Sequence, residues 1–196
     1  MENQQNSTLI IKNNGVNIGL ILGIFLGMVT VVGYAFSTSV LVSYWTFLYF
    51  FLVIIVLGII AIAFSKKELG GFINFKEAFT SYFIMLVIGL FISSLINYLI
   101  FNIVDTDFKN VVNEKQIEAV NSQRDWVVGK LYDAGSSDSD IEETEQKFDE
   151  AIEKIRNTDQ YGLGQQIKGL FIGISVMSIF GILLALILKR KDPSIE

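Results

Sequence analysis

The chain has 196 residues, a formal net charge of −5 and 52% hydrophobic residues. A soluble domain of this size would expose much apolar surface, so the composition favours a membrane protein. Cysteine and histidine are both absent, which excludes disulfides, thiol nucleophiles, imidazole bases and zinc sites built from these side chains. The net negative charge and the lack of a basic aromatic patch argue against binding to nucleic acid.

Four apolar runs without a charged residue organise the chain, at 16–36, 40–64, 78–104 and 169–188. A hydrocarbon core about 30 Å thick needs roughly 20 helical residues. We therefore predict an all-α membrane protein with four transmembrane helices. The first run is longer than a signal-peptide core and no small-residue cleavage site follows it, so we interpret it as a retained helix. A tight polar turn at 37–39 is expected to join it to the second run.

Glycine occupies every fourth position of the first run, and shorter versions of this pattern occur in the third and fourth runs. Small faces of this kind let membrane helices approach closely. We expect the first run to pack against the fourth, and contact with a second copy or another subunit is the open alternative. The predicted packing positions are Gly15, Gly19, Gly23, Gly27, Gly89, Ser93, Gly169, Gly173 and Gly181.

The connection before the third run has the residues of a structured corner. Asn74 is expected to cap the third helix, with Glu77 reaching back to it as in a capping box. Phe75, Phe79 and Tyr82 are expected to form an apolar stripe at the membrane interface. A role for Glu77 at a lipid headgroup or a partner is the functional alternative, but no second acid, base or metal ligand accompanies it.

No Asp, Glu, Lys, Arg or His lies within the four runs, so a proton or ion path is not indicated. Asn97 and Tyr98 lie near the end of the third run, and Asp105 and Asp107 follow it. These four residues could form a polar vestibule or a cation site. The structural alternative is that the carboxylates meet water or cap the next helix.

Residues 105–166 form the polar segment, with fifteen acidic and seven basic residues and thus a net charge of −8. Its apolar residues recur at helical spacing, and Gly135 interrupts them. We predict two antiparallel helices, the second beginning with a capping box from Ser139 to Glu142. An acidic solvated face is the plain interpretation of this hairpin, and a docking surface for a partner is the alternative.

Basic residues near the apolar runs predict the orientation. Lys66, Lys67 and Lys76 lie between the second and third runs, and Lys189 to Lys191 follow the fourth. Because cytoplasmic loops retain positive charge, both clusters and both termini are placed in the cytoplasm. The predicted units are transmembrane helices 1 to 3 at 1–104, an extracytoplasmic helical hairpin at 105–166, and the fourth helix with a basic tail at 167–196.

Two segments carry a resemblance to a known family. Gly71-x-Ile73-x-Phe75-x-Glu77-Ala78-Phe79 precedes the third run, and Phe91 through Asn97-Tyr98 to Asp105-Thr106-Asp107-Phe108 ends it. This pattern resembles domain-of-unknown-function family four-one-nine-nine, an uncharacterised bacterial integral-membrane family, over nearly the whole chain. Thr106 stands where that family often has proline. The resemblance implies four helices and no activity.

From these observations we expect an accessory or scaffold subunit of a bacterial cytoplasmic (inner) membrane, acting through helix packing and its acidic hairpin. Its partners would be the lipid bilayer and a membrane protein or a second copy of the chain. No catalytic residue, cofactor or metal is predicted. A small transporter or channel with a vestibule near Asn97 and Asp105 is the first alternative, and a membrane enzyme is the second.

Overall fold

The computed structural model describes residues 2–190, and the side chains of residues 5–190. Seven α-helices follow one another, and a π-helical turn, Ile100–Val104, extends the fourth. The helices are α1 (Glu2–Ala35), α2 (Ser39–Val42), α3 (Tyr44–Glu68), α4 (Phe75–Leu99), α5 (Phe108–Asp133), α6 (Asp138–Asn157) and α7 (Leu163–Leu188). Within the described residues, β-structure is limited to one bridge between Ile73 and Arg190.

Four segments are long and apolar enough to cross a membrane: Gln5–Ala35, Tyr44–Glu68, Phe75–Val104 and Leu163–Leu188. The prediction of an all-α protein with four spanning helices is confirmed. The helices form one bundle. We call the end where α1 begins and α7 ends the terminal end, and the end that carries α5 and α6, the hairpin, the hairpin end.

The spanning helices do not begin and end with the apolar runs. α1 already begins at Glu2, because polar residues continue a helix that the apolar segment has started. The predicted start of the second span at Val40 is wrong, since Val40 lies in the short helix α2. Ser43 then caps α3 by accepting a hydrogen bond from the backbone N–H of Trp45 at 3.3 Å.

α1 packs along α4, and the predicted pairing of the first run with the fourth is wrong. The two helices run parallel, so that each glycine of α1 meets one isoleucine of α4. A β-carbon built on any of these glycines would lie under 3.0 Å from an isoleucine carbon. The pairs are Gly15 with Ile84, Gly19 with Ile88, Gly23 with Ile92 and Gly27 with Ile96.

The contact is reciprocal. Gly89 of α4 receives Leu22 of α1, which is completely buried. β-branched isoleucine has few rotamers to lose, and glycine lets its side chain reach the opposite backbone. Close van der Waals packing of this kind is what holds helices together in lipid. α4 supplies branched side chains at the four-residue interval that matches the α1 glycines.

Tyr82 lies at the centre of the bundle. Its ring fills a slot between Gly58 of α3 and Gly181 of α7, where a β-carbon on either glycine would collide with it. Its hydroxyl donates to the carbonyl oxygen of Met177 at 2.9 Å. The expectation that Tyr82 lies at the membrane interface is therefore wrong, because the two glycines leave space for a whole ring in the core.

Polar contacts at the terminal end connect three segments. Asn74 and Glu77 form the predicted capping box, with distances of 3.0 and 2.9 Å. Ile73 and Arg190 exchange two backbone hydrogen bonds of 3.0 and 2.8 Å, and Lys66 donates to the carbonyl of Leu188 at 3.0 Å. The loop and the last described residue of the tail are thus joined. Lys191 of the predicted basic cluster lies outside the described residues.

The hairpin consists of α5 and α6, as the helical spacing predicts. Gly135, with φ of 70°, ends the first helix in the left-handed region. The predicted cap at Ser139 to Glu142 is wrong by two residues. Ser137 caps α6, and its side chain accepts a hydrogen bond from the N–H of Asp140 at 3.3 Å. Of the apolar residues, Phe108, Val112 and Ile141 are buried.

The α1–α4 contact can be tested by substitution. In Gly23→Leu the added β-carbon would lie 2.6 Å from that of Ile92, and we expect a loss of about 1–3 kcal/mol of stability from overpacking. Gly164→Leu is the control, since nothing lies within 4 Å of a β-carbon there. Thermal unfolding in mild detergent measures the difference, and equal transition temperatures for the two variants would contradict the packing described.

Candidate functional site

A polar cleft of about 340 Å³ lies between α4 and α7 at the hairpin end of the bundle. α4, the loop before α7 and the first turns of α7 supply its walls, and none of its lining residues is charged. The lining consists of Leu90, Ser93, Ser94, Asn97, Gln160, Tyr161, Gln165, Gln166, Gly169, Leu170 and Gly173. Of the polar residues considered from sequence for a functional role, namely Glu77, Asn97, Tyr98, Asp105 and Asp107, only Asn97 belongs to it. Ser93, predicted as a packing position, also lines the cleft.

The cleft exists because α7 diverges from α4 toward the hairpin end. At Gly181 a β-carbon would collide with the Tyr82 ring. At Gly173 the nearest atom, in Leu90, would be 3.5 Å away, and at Gly169 nothing lies within 4 Å. Gly169 therefore differs from its predicted role as a packing position, since the helices have already separated there.

Hydroxyl groups fix two of the carboxamides that line the cleft. Thr30 of α1 donates to Oδ1 of Asn97 at 2.5 Å, and Ser94 of α4 donates to Oε1 of Gln166 at 3.2 Å. Since the amide oxygen is the acceptor in both bonds, the NH₂ group of each side chain is directed elsewhere. Both residues line the cleft, and within the described residues neither NH₂ group donates to a protein acceptor.

Tyr161 roofs the cleft and belongs to a series of four rings in contact, which we call the aromatic column: Tyr34, Phe101, Phe108 and Tyr161. Tyr161, Phe101 and Phe108 are stacked, and Tyr34 meets Phe108 edge to face. The ring centroids are 4.0 Å apart for Tyr161 and Phe101, 5.3 Å for Phe101 and Phe108, and 4.9 Å for Phe108 and Tyr34. Such contacts contribute about 0.5–1.5 kcal/mol each beyond their buried area. The column connects α1, the end of α4, α5 and the loop before α7.

Hydrogen bonds hold Tyr161 at both its backbone and its side chain. Asn102 donates to its carbonyl oxygen at 2.8 Å, and Gln116 of α5 donates to its hydroxyl at 3.1 Å. Burial raises the pKa of Tyr161 to about 12, against a smaller lowering by the Gln116 bond. The phenol is therefore neutral at physiological pH. Nearby, Lys109 pairs with Asp159 at 3.0 Å.

The other proposed polar residues do not converge on the cleft. Asp105 accepts from the N–H groups of Asp107 and Phe108, both at 3.1 Å, and so caps the start of α5. Asp107 is exposed. Tyr98 is half-buried, and its carbonyl accepts from Asn102 at 3.2 Å. The vestibule expected near Asn97 and Asp105 is thus formed without the two carboxylates, which serve the helix end instead.

Glu77 lies at the terminal end, far from the cleft. It forms the capping box with Asn74 and lines a separate cavity of about 550 Å³ with Lys12 and Lys76. Within residues 2–190 no group of three or more Asp or Glu side chains is arranged to hold a metal ion.

Sequence reasoning missed Tyr161, Gln165 and Gln166. They lie just before the fourth apolar run, where polar residues are interpreted as ordinary flanks of a span. One signal was available in the sequence: Tyr161 is followed by Gly162 and Gly164, which indicates a structured turn before the helix. The sequence does not say which surface Tyr161 contacts, because that depends on the position of α4.

The comparisons with known proteins give one match. A family model described as Protein of unknown function (DUF4199) matches residues 15–190. The matched range begins at the first glycine of the α1 series and ends at Arg190, so it includes the cleft and the hairpin. No curated protein matches the chain, and no solved structure matches it.

The role of Tyr161 can be separated into ring and hydroxyl. We expect Tyr161→Ala to cost about 3 kcal/mol, because it removes the stacked ring, and Tyr161→Phe to cost about 1 kcal/mol, because it removes one hydrogen bond. Tyr132→Ala is the control, since Tyr132 is 63% exposed on α5. Hydrogen exchange in the first turns of α5 should rise in the order control, Phe, Ala. Unchanged exchange in Tyr161→Ala would contradict the view that the Tyr161 ring helps to attach the hairpin to the bundle.

Proposed function

The chain belongs to the DUF4199 family, and from this premise we propose that it is a non-catalytic accessory or scaffold subunit of a bacterial cytoplasmic membrane. In this proposal the four spanning helices are the anchor and the hairpin is the part that meets a partner. The observation that carries it is the joint between hairpin and bundle. A hairpin mounted through packed rings and hydrogen bonds presents a surface at a fixed angle, which a flexible loop does not.

The joint is formed from both ends of the hairpin. Phe108, at the start of α5, stacks on Phe101 and meets Tyr34. Tyr161, just after α6, stacks on Phe101 from the other side. Because both connections end on the same ring, α5 and α6 are held together at the base as well as by their own contact. Preorganised surfaces lose less entropy on binding.

The hairpin carries more exposed acidic groups than its ion pairs engage. Glu142, Glu145 and Glu150 of α6 are exposed, and no ion pair within the described residues includes them. Other acids are engaged, such as Asp149 with Arg124 at 3.4 Å. A partner with a basic surface would complement the free carboxylates.

The glycine series of α1 is not the partner surface that we propose. α4 occupies it from Gly15 to Gly27, so neither a second copy of the chain nor another subunit can use it without displacing α4. This favours the hairpin over the membrane helices as the site of assembly.

Transport and catalysis receive less support. The cleft narrows toward Tyr82, whose ring fills the slot between Gly58 and Gly181, so the polar lining does not continue to the terminal end. The carboxylates considered for catalysis, Glu77 and Asp105, lie at opposite ends of the bundle and each caps a helix. Acid–base catalysis needs groups within hydrogen-bond reach of one substrate.

The proposed orientation places the terminal end in the cytoplasm. Lys66, Lys67, Lys76, Lys189 and Arg190 all belong to that end, whereas the hairpin segment has a net charge of −8 by fifteen acidic and seven basic residues. Positive charge near the spans resists translocation. We expect a fluorescent reporter fused after Glu196 to fold in the cytoplasm and an alkaline phosphatase inserted at Gly135 to be active outside it. The reverse pattern would contradict the orientation.

The docking surface can be tested by reversing one charge at a time. The measured quantity is the amount of partner crosslinked to a photoreactive residue placed in the hairpin. We expect Glu145→Lys to reduce this amount roughly fivefold, the effect of losing one charge pair at the rim of an interface. Glu68→Lys is the matched control, an exposed glutamate at the other end of the bundle. A photoreactive residue at Glu150 captures the partner in native membranes, and the same residue at Ile179, 60% exposed on α7, reports contacts along the spans.

Three results would argue against the proposal. The first is capture from Ile179 with none from Glu150. The second is equal loss of capture in Glu145→Lys and Glu68→Lys. The third is recovery of the unaltered protein as a lone monomer without any adduct.

A further inference from the structure

The polar cleft is lined by two carboxamides whose oxygens are already hydrogen-bonded. The amide oxygens of Asn97 and Gln166 are held by the hydroxyls of Thr30 and Ser94. Within the described residues, neither amide nitrogen donates to a protein acceptor. An amide NH₂ group in a partly buried site loses free energy unless it finds an acceptor. The cleft therefore favours an occupant that brings acceptors.

The polarity of the cleft changes with depth in the same way on both walls. On α4, Leu90 lies seven residues before Asn97, and on α7, Gly173 lies seven residues after Gln166. At 1.5 Å per residue each separation is about 10 Å. The apolar floor thus faces the bilayer centre, the amides lie two turns above it, and Gln160 and Tyr161 form the roof. An occupant that fits is apolar at one end and rich in acceptors at the other.

The charge of the lining and the volume of the cleft restrict the class of molecule that can bind. No lining residue is charged, so the cleft offers no counter-ion to a group with net charge. Its volume of about 340 Å³ falls at the small end of ligand sites, enough for the ester region of a lipid and the first carbons of one chain. Leu90 and Gly173 form the floor of the cleft, and further along α7 the Tyr82 ring fills the slot between Gly58 and Gly181. An occupant therefore enters from the hairpin side of the bilayer or from between α4 and α7.

We propose that the cleft is a binding site for one glycerolipid, whose ester carbonyl oxygens accept hydrogen bonds from Nδ2 of Asn97 and Nε2 of Gln166. The acyl carbons next to the ester contact Leu90 and Leu170, and the headgroup lies toward Gln160. The lipid fills the space that α7 leaves as it diverges from α4. This site is independent of the partner surface proposed for the hairpin.

The test uses the full chain and a pair of lipids that differ only in the acceptor. Protein in mixed micelles with equal amounts of a diester phosphatidylcholine and its diether analogue is analysed by native mass spectrometry. We expect one lipid to remain bound, with the diester preferred about three- to tenfold, the contribution of one or two hydrogen bonds.

Two variants and their controls locate the bound lipid. Gln166→Met removes one donor at nearly constant size, and we expect it to lower the diester preference toward one; Gln123→Met, an exposed glutamine outside the cleft, should leave it unchanged. Gly169→Leu fills the cleft, and nothing lies within 4 Å of its β-carbon, so the fold should tolerate it while both lipids are lost. Gly164→Leu, on the same helix and also in open space, is its control.

Several outcomes would overturn the proposal. Equal retention of diester and diether lipid would show that the amide NH₂ groups of Asn97 and Gln166 do not bind ester carbonyl oxygens. A bound lipid that survives unchanged in Gly169→Leu would lie elsewhere on the protein. Retention of no lipid by the unaltered chain, or of a different species in its place, would mean that water or another molecule occupies the cleft. If Gly169→Leu does not fold, the diester preference of Gln166→Met against Gln123→Met decides alone.

Discussion

From Gly15 to Gly27, glycines at every fourth position of α1 face isoleucines at every fourth position of α4, and the two backbones approach each other closely. In lipid there is little hydrophobic drive between helices, so contact of this closeness is the main source of cohesion. It constrains everything around it. Because α1 is committed to α4, α3 and α7 share the remaining faces of α4, and Tyr82 becomes the point where these three helices meet.

The Tyr82 slot determines where the bundle is closed and where it opens. The ring holds α3 and α7 against α4 through Gly58 and Gly181. Beyond this point α7 moves away from α4, with small residues on both walls, and the space between them is lined by amides and hydroxyls. A polar cleft therefore arises from geometry, although none of its lining residues is charged.

The hairpin is joined to this bundle by aromatic stacking rather than by a hinge. Phe101 lies in the π-helical turn that extends α4, a local widening that is frequent at functional sites. Here the turn brings the ring between Phe108 and Tyr161. Asp105 then caps α5, which redirects the chain out of the span. The acidic surface of α6 is thus presented from a defined base.

The sequence by itself determined the number of spans, the helical hairpin, the capping box at Asn74 and the family resemblance, because run length, residue spacing and capping chemistry are local. It placed glycine at the intervals needed for close packing, yet it pointed to the wrong partner helix. The complement of a glycine series is a series of branched side chains on another helix, and several apolar runs contain them. Only the tertiary structure selected α4 and buried Tyr82. It also turned Asp105 and Asp107 away from the expected vestibule and brought Gln166 opposite Asn97. These outcomes depend on which helices pack together, and that is decided by the fit of surfaces distant in sequence.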